Sequence, residues 1–298
     1  LKKYGLSGKS IIPLISGVAC AIPAVMSTRN INDWKQRLIT ILILPFMTCS
    51  ARLPVYLILI SIVIPDNYIF IFNYQGLTLL GLYLLAVLMA LISAFVFSKI
   101  IKSNFKNYVV IEMPNYKIPV LKNVLFTVYS KTKSFVFEAG KIILSISILL
   151  WILASNGPGD DFKYAEQIIL EKYDNKKNIT ELDYEIQSYR LENSYVGTAG
   201  KILEPILNPL GYDWKIGIAI ITSFAAREVF VGTLATIFSV GSENVETIKE
   251  KMSYQRKQNG QLLFNLPTGV SLMVFYAFAL QCMSTIAIVK KETNSWKW

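Results

Sequence analysis

Long apolar runs alternate with short charged connectors along the whole chain. Six runs reach the roughly 20 mostly apolar residues that an α-helix needs to cross a hydrocarbon core: residues 11–28, 41–64, 77–98, 135–155, 216–240 and 266–289. The runs 77–98 and 266–289 carry no charge. Run 41–64 holds Arg52 near its centre, and run 216–240 holds the adjacent pair Arg227 and Glu228. In run 135–155, Glu138 and Lys141 lie only in the first turns. Helices satisfy their own backbone hydrogen bonds in lipid, so the pattern predicts an all-α, polytopic membrane helical bundle.

The connectors divide by charge. Arg29, Lys35 and Arg37, then Lys99, Lys102 and Lys106, then Lys131 and Lys133 flank the runs as cytoplasmic loops do under the positive-inside rule. Residues 159–194 hold nine acidic and five basic residues and read as a polar, partly helical insert on the opposite side. The stretch 120–128 reads either as an amphipathic helix lying on the membrane or as a plain connector. The expected organisation is a first membrane half over 1–155, a polar acidic loop over 156–197 and a second membrane half over 198–298. Counting the six runs from a cytoplasmic 29–37 loop puts the C-terminus outside, whereas the basic Lys290-Lys291 tail favours the inside. A re-entrant segment or a further span resolves the conflict. With a start at Leu1 and no cleavage context for a signal peptide, a fragment of a larger membrane protein is expected.

Composition narrows the function. Of 298 residues 53% are hydrophobic and 17% charged, against about 25% charged in soluble domains. Disorder is excluded by the apolar content, and a disulfide scaffold by length and only three cysteines. There is no histidine, which removes His-based triads, zinc helices and proton relays. No aspartate lies in a predicted span, so a paired-aspartate membrane protease is excluded too, and no catalytic site is expected in this chain. The net charge of +10 is spread beside the spans, which points to membrane lipid as the partner and not to nucleic acid.

Candidate chemistry concentrates where the apolar runs are interrupted. In Pro45-Phe46-Met47-Thr48-Cys49-Ser50-Ala51-Arg52-Leu53-Pro54 two prolines bracket a polar patch. Each lacks an N–H and disturbs the carbonyl four residues back, at Ile41 and Ser50. Non-helical backbone at membrane depth persists only where protein or a water-filled cavity covers it. A broken helix facing a cavity is expected, the alternative being a proline kink with Arg52 snorkelling. Ala225-Ala226-Arg227-Glu228 repeats the small-small-Arg core of Ser50-Ala51-Arg52. Matching interruptions in two halves of a chain mark transporter sites. The rival reading is an ion pair, Arg227–Glu228 or Arg52–Glu228, that only fixes packing. Cys20, Cys49 and Cys282 lie in three different spans among small or polar residues. Thiolate, hydroxyl, Met283 thioether and freed carbonyl groups suit a divalent transition metal better than Mg²⁺ or Ca²⁺, and buried cysteines also serve as small apolar filler. Gly8-Lys9-Ser10 mimics the end of a phosphate-binding loop, but Lys3 stands where the motif requires glycine. Asn178-Ile179-Thr180 matches a glycosylation sequon that chance explains.

The segment Cys49-Ser50-Ala51-Arg52-Leu53-Pro54-Val55-Tyr56 resembles the first Gate motif of the ferrous iron transport protein B family. Ala226-Arg227-Glu228-Val229-Phe230-Val231-Gly232-Thr233 resembles its second. Gly5-Leu6-Ser7-Gly8, Pro23-Ala24, Thr28-Arg29, Glu112-Met113-Pro114-Asn115-Tyr116 and the stretch from Ala279 through Thr285 to Trp298 also match. At Val18-Ala19-Cys20-Ala21 the chain departs from the family's usual Gly-Phe-Gly-Cys. The resemblance implies the membrane region of a multi-pass Fe²⁺ transporter of the bacterial cytoplasmic membrane, with two related Gate repeats. Cys49 and Cys282 would be the principal iron ligands and Cys20 the third, assisted by Ser50, Met283 and Ser284. Arg52, Pro54, Arg227 and Glu228 would shape the gate. It further implies an N-terminal GTP-binding domain absent from this chain, with GTP and Mg²⁺ entering only there, a small accessory iron-transport protein, and assembly as a homo-oligomer. The alternatives are transport of another divalent metal or of a nucleoside-like solute. A structural subunit would leave the polar interruptions unexplained.

Overall fold

Among the described residues, four helical runs are long and apolar enough to cross a membrane: Trp34–Val63, Tyr74–Ile100, Leu121–Ser155 and Leu266–Thr293. The structure, a computed structural model, describes residues 4–69, 72–101, 120–173, 179–238, 249, 252–256, 262–280 and 282–296. The expectations placed on Lys102, Lys106, Asn178, the 112–116 motif and the last two residues lie outside these. The predicted helical bundle is what the chain forms. A two-residue antiparallel ribbon, Tyr68–Ile69 with Phe72–Asn73, is its only sheet among the described residues.

The expected broken helices are present: span 11–28 is two short helices, Ile11–Ala19 and Ala21–Ser27, and the 216–240 region is formed by Trp214–Ser223 and Val229–Ile237. Run 266–289 is also split, into Leu266–Phe278 and Met283–Thr293. Hydropathy averages over such interruptions, which is why run 266–289 reads as continuous. The stretch 120–128 is the exposed beginning of Leu121–Ser155, a single helix of 35 residues. At 1.5 Å per residue it measures about 50 Å, longer than a hydrocarbon core of about 30 Å. Beyond it, the acid-rich segment folds into helices Asp160–Lys163, Ala165–Tyr173 and Ile179–Glu192. Side-chain caps fix several helix starts. Asp33 accepts from Lys35 N (3.0 Å), Ser194 from Gly197 N (3.1 Å) and Asn265 from Thr268 N (2.9 Å), each worth about 1 kcal/mol.

Two compact units emerge, each drawing on separate stretches of sequence. The first comprises Leu1–Ser50, Ala86–Ser145 and Ser284–Trp298. Its apolar packing is carried by Ile22, Val25, Ile41, Leu44, Ala139 and Ile288, with a second cluster of Leu6, Ile39, Ile43 and Ala94. The second unit comprises Ala51–Leu85 and Ile146–Met283. Tyr56, Leu59, Phe230, Leu272 and Tyr276 are fully buried there, with the Phe230 and Tyr276 rings 4.7 Å apart. Helices Tyr195–Leu207 and Trp214–Ser223 approach closely through glycine. A Cβ on Gly200 would stand 2.6 Å from Ile218 Cγ1, so a small residue sets that spacing.

Candidate functional site

In the first unit the non-helical backbone has an identifiable cause. Pro23 cannot donate to the carbonyl of Ala19 and crowds it. The chain therefore opens at Cys20, whose φ of −154° and ψ of 135° are extended. The released Ala19 carbonyl accepts a hydrogen bond from Ser50 Oγ at 2.9 Å. This bond brings Cys49-Ser50 beside the interruption at Cys20. Pro45 acts similarly on Ile41. Helix Trp34–Ile43 tightens into a 3₁₀ turn over Leu44–Phe46 and then opens at Met47. Thr48 in the opened stretch is 3% exposed. Cys20 and Cys49 are both half-buried, each at a helix interruption.

Arg52 and Pro54 belong to the second unit. Arg52 is 1% exposed and stands at the start of helix Leu53–Val63. Pro54 lies in the first turn, where its missing N–H costs nothing. A cation is disfavoured at a helix N-terminus, so this arginine is not placed for helix stability. The second interruption, residues 224–228, contains no proline. Hydroxyls end the preceding helix instead. Ser223 Oγ donates to Ile220 O (2.6 Å), a carbonyl that a further helical residue would otherwise claim, and Thr222 Oγ1 back-bonds to Ile218 O (3.1 Å) within the helix. Arg227, 6% exposed, then donates from Nη2 to the Ala279 carbonyl at 2.9 Å. Ala279 closes helix Leu266–Phe278, and a cation at a C-terminus complements the helix dipole. Met283 N donates to Phe224 O at 3.4 Å. The two interruptions of this unit thus clasp each other around Cys282, which is half-buried. Met283 is 44% exposed and Ser284 is buried. Glu228 is exposed. Among the described residues no three Cys, Asp or Glu side chains form a group able to hold a metal ion.

One cluster escaped sequence reading. Glu292, its side chain 5% exposed, accepts from Arg29 Nε at 2.9 Å, from Arg29 Nη2 and from Arg37 Nη2 at 2.6 Å. Lys291 Nζ lies 2.9 Å from Glu138. The Glu292 hydrogen bond holds the Arg29 guanidinium above its ordinary pKa. A basic tail conceals the single acid in it. The signal was periodicity: Glu292 follows the buried Ile288 and Val289 by four and three positions, on one helical face.

Comparison with known proteins settles the family. A family model described as "Nucleoside recognition" (Gate) matches residues 1–63 and 136–296, and one described as "Ferrous iron transport protein B C terminus" matches residues 79–131. The chain belongs to the ferrous iron transport protein B family. It is similar to an Fe(2+) transporter FeoB of Leptospira interrogans serogroup Icterohaemorrhagiae serovar Lai, with 47% identity over 99% of the chain and 40% of that protein. A FeoB of Methanocaldococcus jannaschii is 34% identical over all of the chain and 39% of that protein. An "Fe(2+) transport protein A/Fe(2+) transporter FeoB fusion protein" of Porphyromonas gingivalis is 34% identical over all of the chain and 36% of its own length. The chain therefore spans about two fifths of the length of the curated relatives it matches. No solved structure matches it. As a member of this family the chain is a multi-pass protein of the cytoplasmic membrane.

Proposed function

We propose that the chain is the permease region of a GTP-dependent ferrous iron transporter, passing Fe²⁺ along a cysteine-lined path. The observation that carries this reading is that Cys20, Cys49 and Cys282 each stand at a helix interruption. There, thiol groups stand beside carbonyls outside the helical ladder. Fe²⁺ must shed part of its water shell to cross, and these soft and borderline donors replace it. Cys49 and Cys282 are the principal ligands, Cys20 the third, with Ser50, Met283 and Ser284 assisting. A transported ion must also leave, so sparse, sequential donors serve conduction better than a closed cage. Metal ligation requires thiolate, so each binding step releases a proton. Arg52, Pro54, Arg227 and Glu228 hold the interruptions in shape, and the Arg227 charge is spent on the Ala279 carbonyl.

Support for iron as cargo comes from the relatives, which are named as Fe(2+) transporters. GTP and Mg²⁺ act through an N-terminal domain outside this chain. The fused relative supports a small accessory partner resembling transport protein A, and self-association completes the assembly we propose. The Gate description, nucleoside recognition, favours one second reading, transport of a nucleoside-like solute.

The test is anaerobic Fe²⁺ uptake into proteoliposomes by the chain joined to its nucleotide-binding domain, wild type beside Cys49→Ser. Loss of even an outer-shell partner costs about 10–100-fold in metal affinity. Uptake by the variant is therefore expected to fall at least about tenfold, with folding intact. Wild-type uptake in the variant would remove Cys49 from the path. Inhibition of wild-type uptake by nucleosides but not by Mn²⁺ would favour the second reading.

A further inference from the structure

The second unit contains a groove that the iron path does not use. Two hollows of about 750 and 480 Å³ share Trp151, Ala154, Leu191 and Thr236 in their walls and so run into one another. Their chemistry differs from end to end. The outer hollow is lined by Ser155, Lys163, Gln187 and Arg190. The inner one is lined by Leu150, Ala225, Val229 and Gly232. Its threonines add little polarity, because their hydroxyls are already engaged. Thr222 and Thr233 are bonded to each other at 2.8 Å, and Thr236 donates to Gly232 O at 3.0 Å. A Cβ built on Gly232 meets nothing within 4 Å, so that wall faces open space.

The change in polarity runs along helix Leu121–Ser155. Helix Leu121–Ser155 ends at the outer hollow. Ser147, in the wall of the inner one, lies eight residues back along the same helix, about 12 Å deeper at 1.5 Å per residue. Trp151 stands between them, 68% exposed, as aromatic residues do at membrane interfaces. Cations at the surface and an apolar slot beneath match one occupant. We propose that the groove binds an anionic glycerophospholipid, with its phosphate on Lys163 and Arg190 and one acyl chain in the inner hollow. Arg190 is paired with Glu166 at 3.4 Å, with both side chains largely exposed. Such a pair yields readily, and a phosphate accepts two parallel N–H bonds from the guanidinium. The two cations repel Fe²⁺, and the inner walls offer it no soft ligand. The chain contacts Thr222, Ala225 and Val229, so the lipid braces both sides of the 224–228 interruption.

The test is native mass spectrometry of the full chain released from micelles containing phosphatidylglycerol or phosphatidylcholine. Wild type is expected to retain phosphatidylglycerol about tenfold more tightly, as befits a charge-assisted contact. Lys163→Gln with Arg190→Gln should erase that preference while leaving residual binding of both lipids. Gly232→Phe should expel both by filling the slot. Equal retention of the two lipids by wild type would overturn the proposal, and so would undiminished phosphatidylglycerol in the double variant. Displacement of phosphatidylglycerol by inorganic phosphate at equal concentration would reveal an anion site without an acyl slot. If Gly232→Phe fails to fold, the double variant alone decides.

Discussion

Asp213 caps helix Trp214–Ser223 by accepting from Ile216 N at 3.1 Å, yet burial pushes its carboxyl pKa up more strongly than that bond and nearby Lys215 pull it down. A carboxyl whose folded pKa is raised contributes its full stability below the unfolded value of about 3.9 and loses it as pH rises through the folded value. At neutral pH the charge is therefore a cost while the cap is a gain. Asp213→Asn keeps the acceptor and discards the charge. It should be at least as stable as wild type at pH 7, with a flatter pH dependence in the acid range. Asp213→Ala loses the cap and about 1 kcal/mol. Thermal unfolding in detergent across pH checks both, and an Asn variant as weak as the Ala variant would contradict the assignment. Roles set by near neighbours were legible in sequence, as with Pro23 and Pro45, which act on carbonyls four residues away. Ser50 was singled out as polar, but its bond to Ala19 spans 31 positions, and no local pattern encodes it.

The interrupted helix recurs as an element, produced in two ways. Around Cys20 and Cys49 prolines release carbonyls, while at 224–228 hydroxyl back-bonds end the helix and an arginine fastens the next segment. Proline announces the first kind in any sequence. The second was visible only through the cost of burying Arg227 among apolar residues. Its partner, a backbone carbonyl at Ala279, has no side-chain signature. Arg227→Ala leaves that carbonyl without its donor and should cost about 1–3 kcal/mol. Arg227→Lys should recover part of the loss if its ammonium reaches the same oxygen. Unfolding midpoints of the three proteins report this, and an unchanged midpoint for Arg227→Ala would refute a packing role.

At the scale of the whole molecule, membrane class and helical content were legible because hydropathy is additive along the chain. The way the units draw on distant stretches was not. In the first unit Glu292 joins Arg29 and Arg37 to helix Met283–Thr293. Its substitution by Gln should destabilise that unit by about 1–3 kcal/mol, less than the 3–5 of a fully enclosed pair, because the Arg29 side chain is 43% exposed. Protease protection of helix Met283–Thr293 in proteoliposomes would register the change, and full protection in the variant would argue that the carboxylate is dispensable. The same carboxylate has a consequence for biogenesis. Arg29 and Glu292 are 263 positions apart, so at about 5–20 residues per second their syntheses are separated by on the order of 10–50 s. Throughout that interval Arg37 awaits its counter-charge while Arg29 can turn only to Glu138, 3.9 Å away in the finished fold, and any product that terminates between the two keeps that mark of incompleteness. The later-made helix Met283–Thr293 thereby certifies the earlier segment.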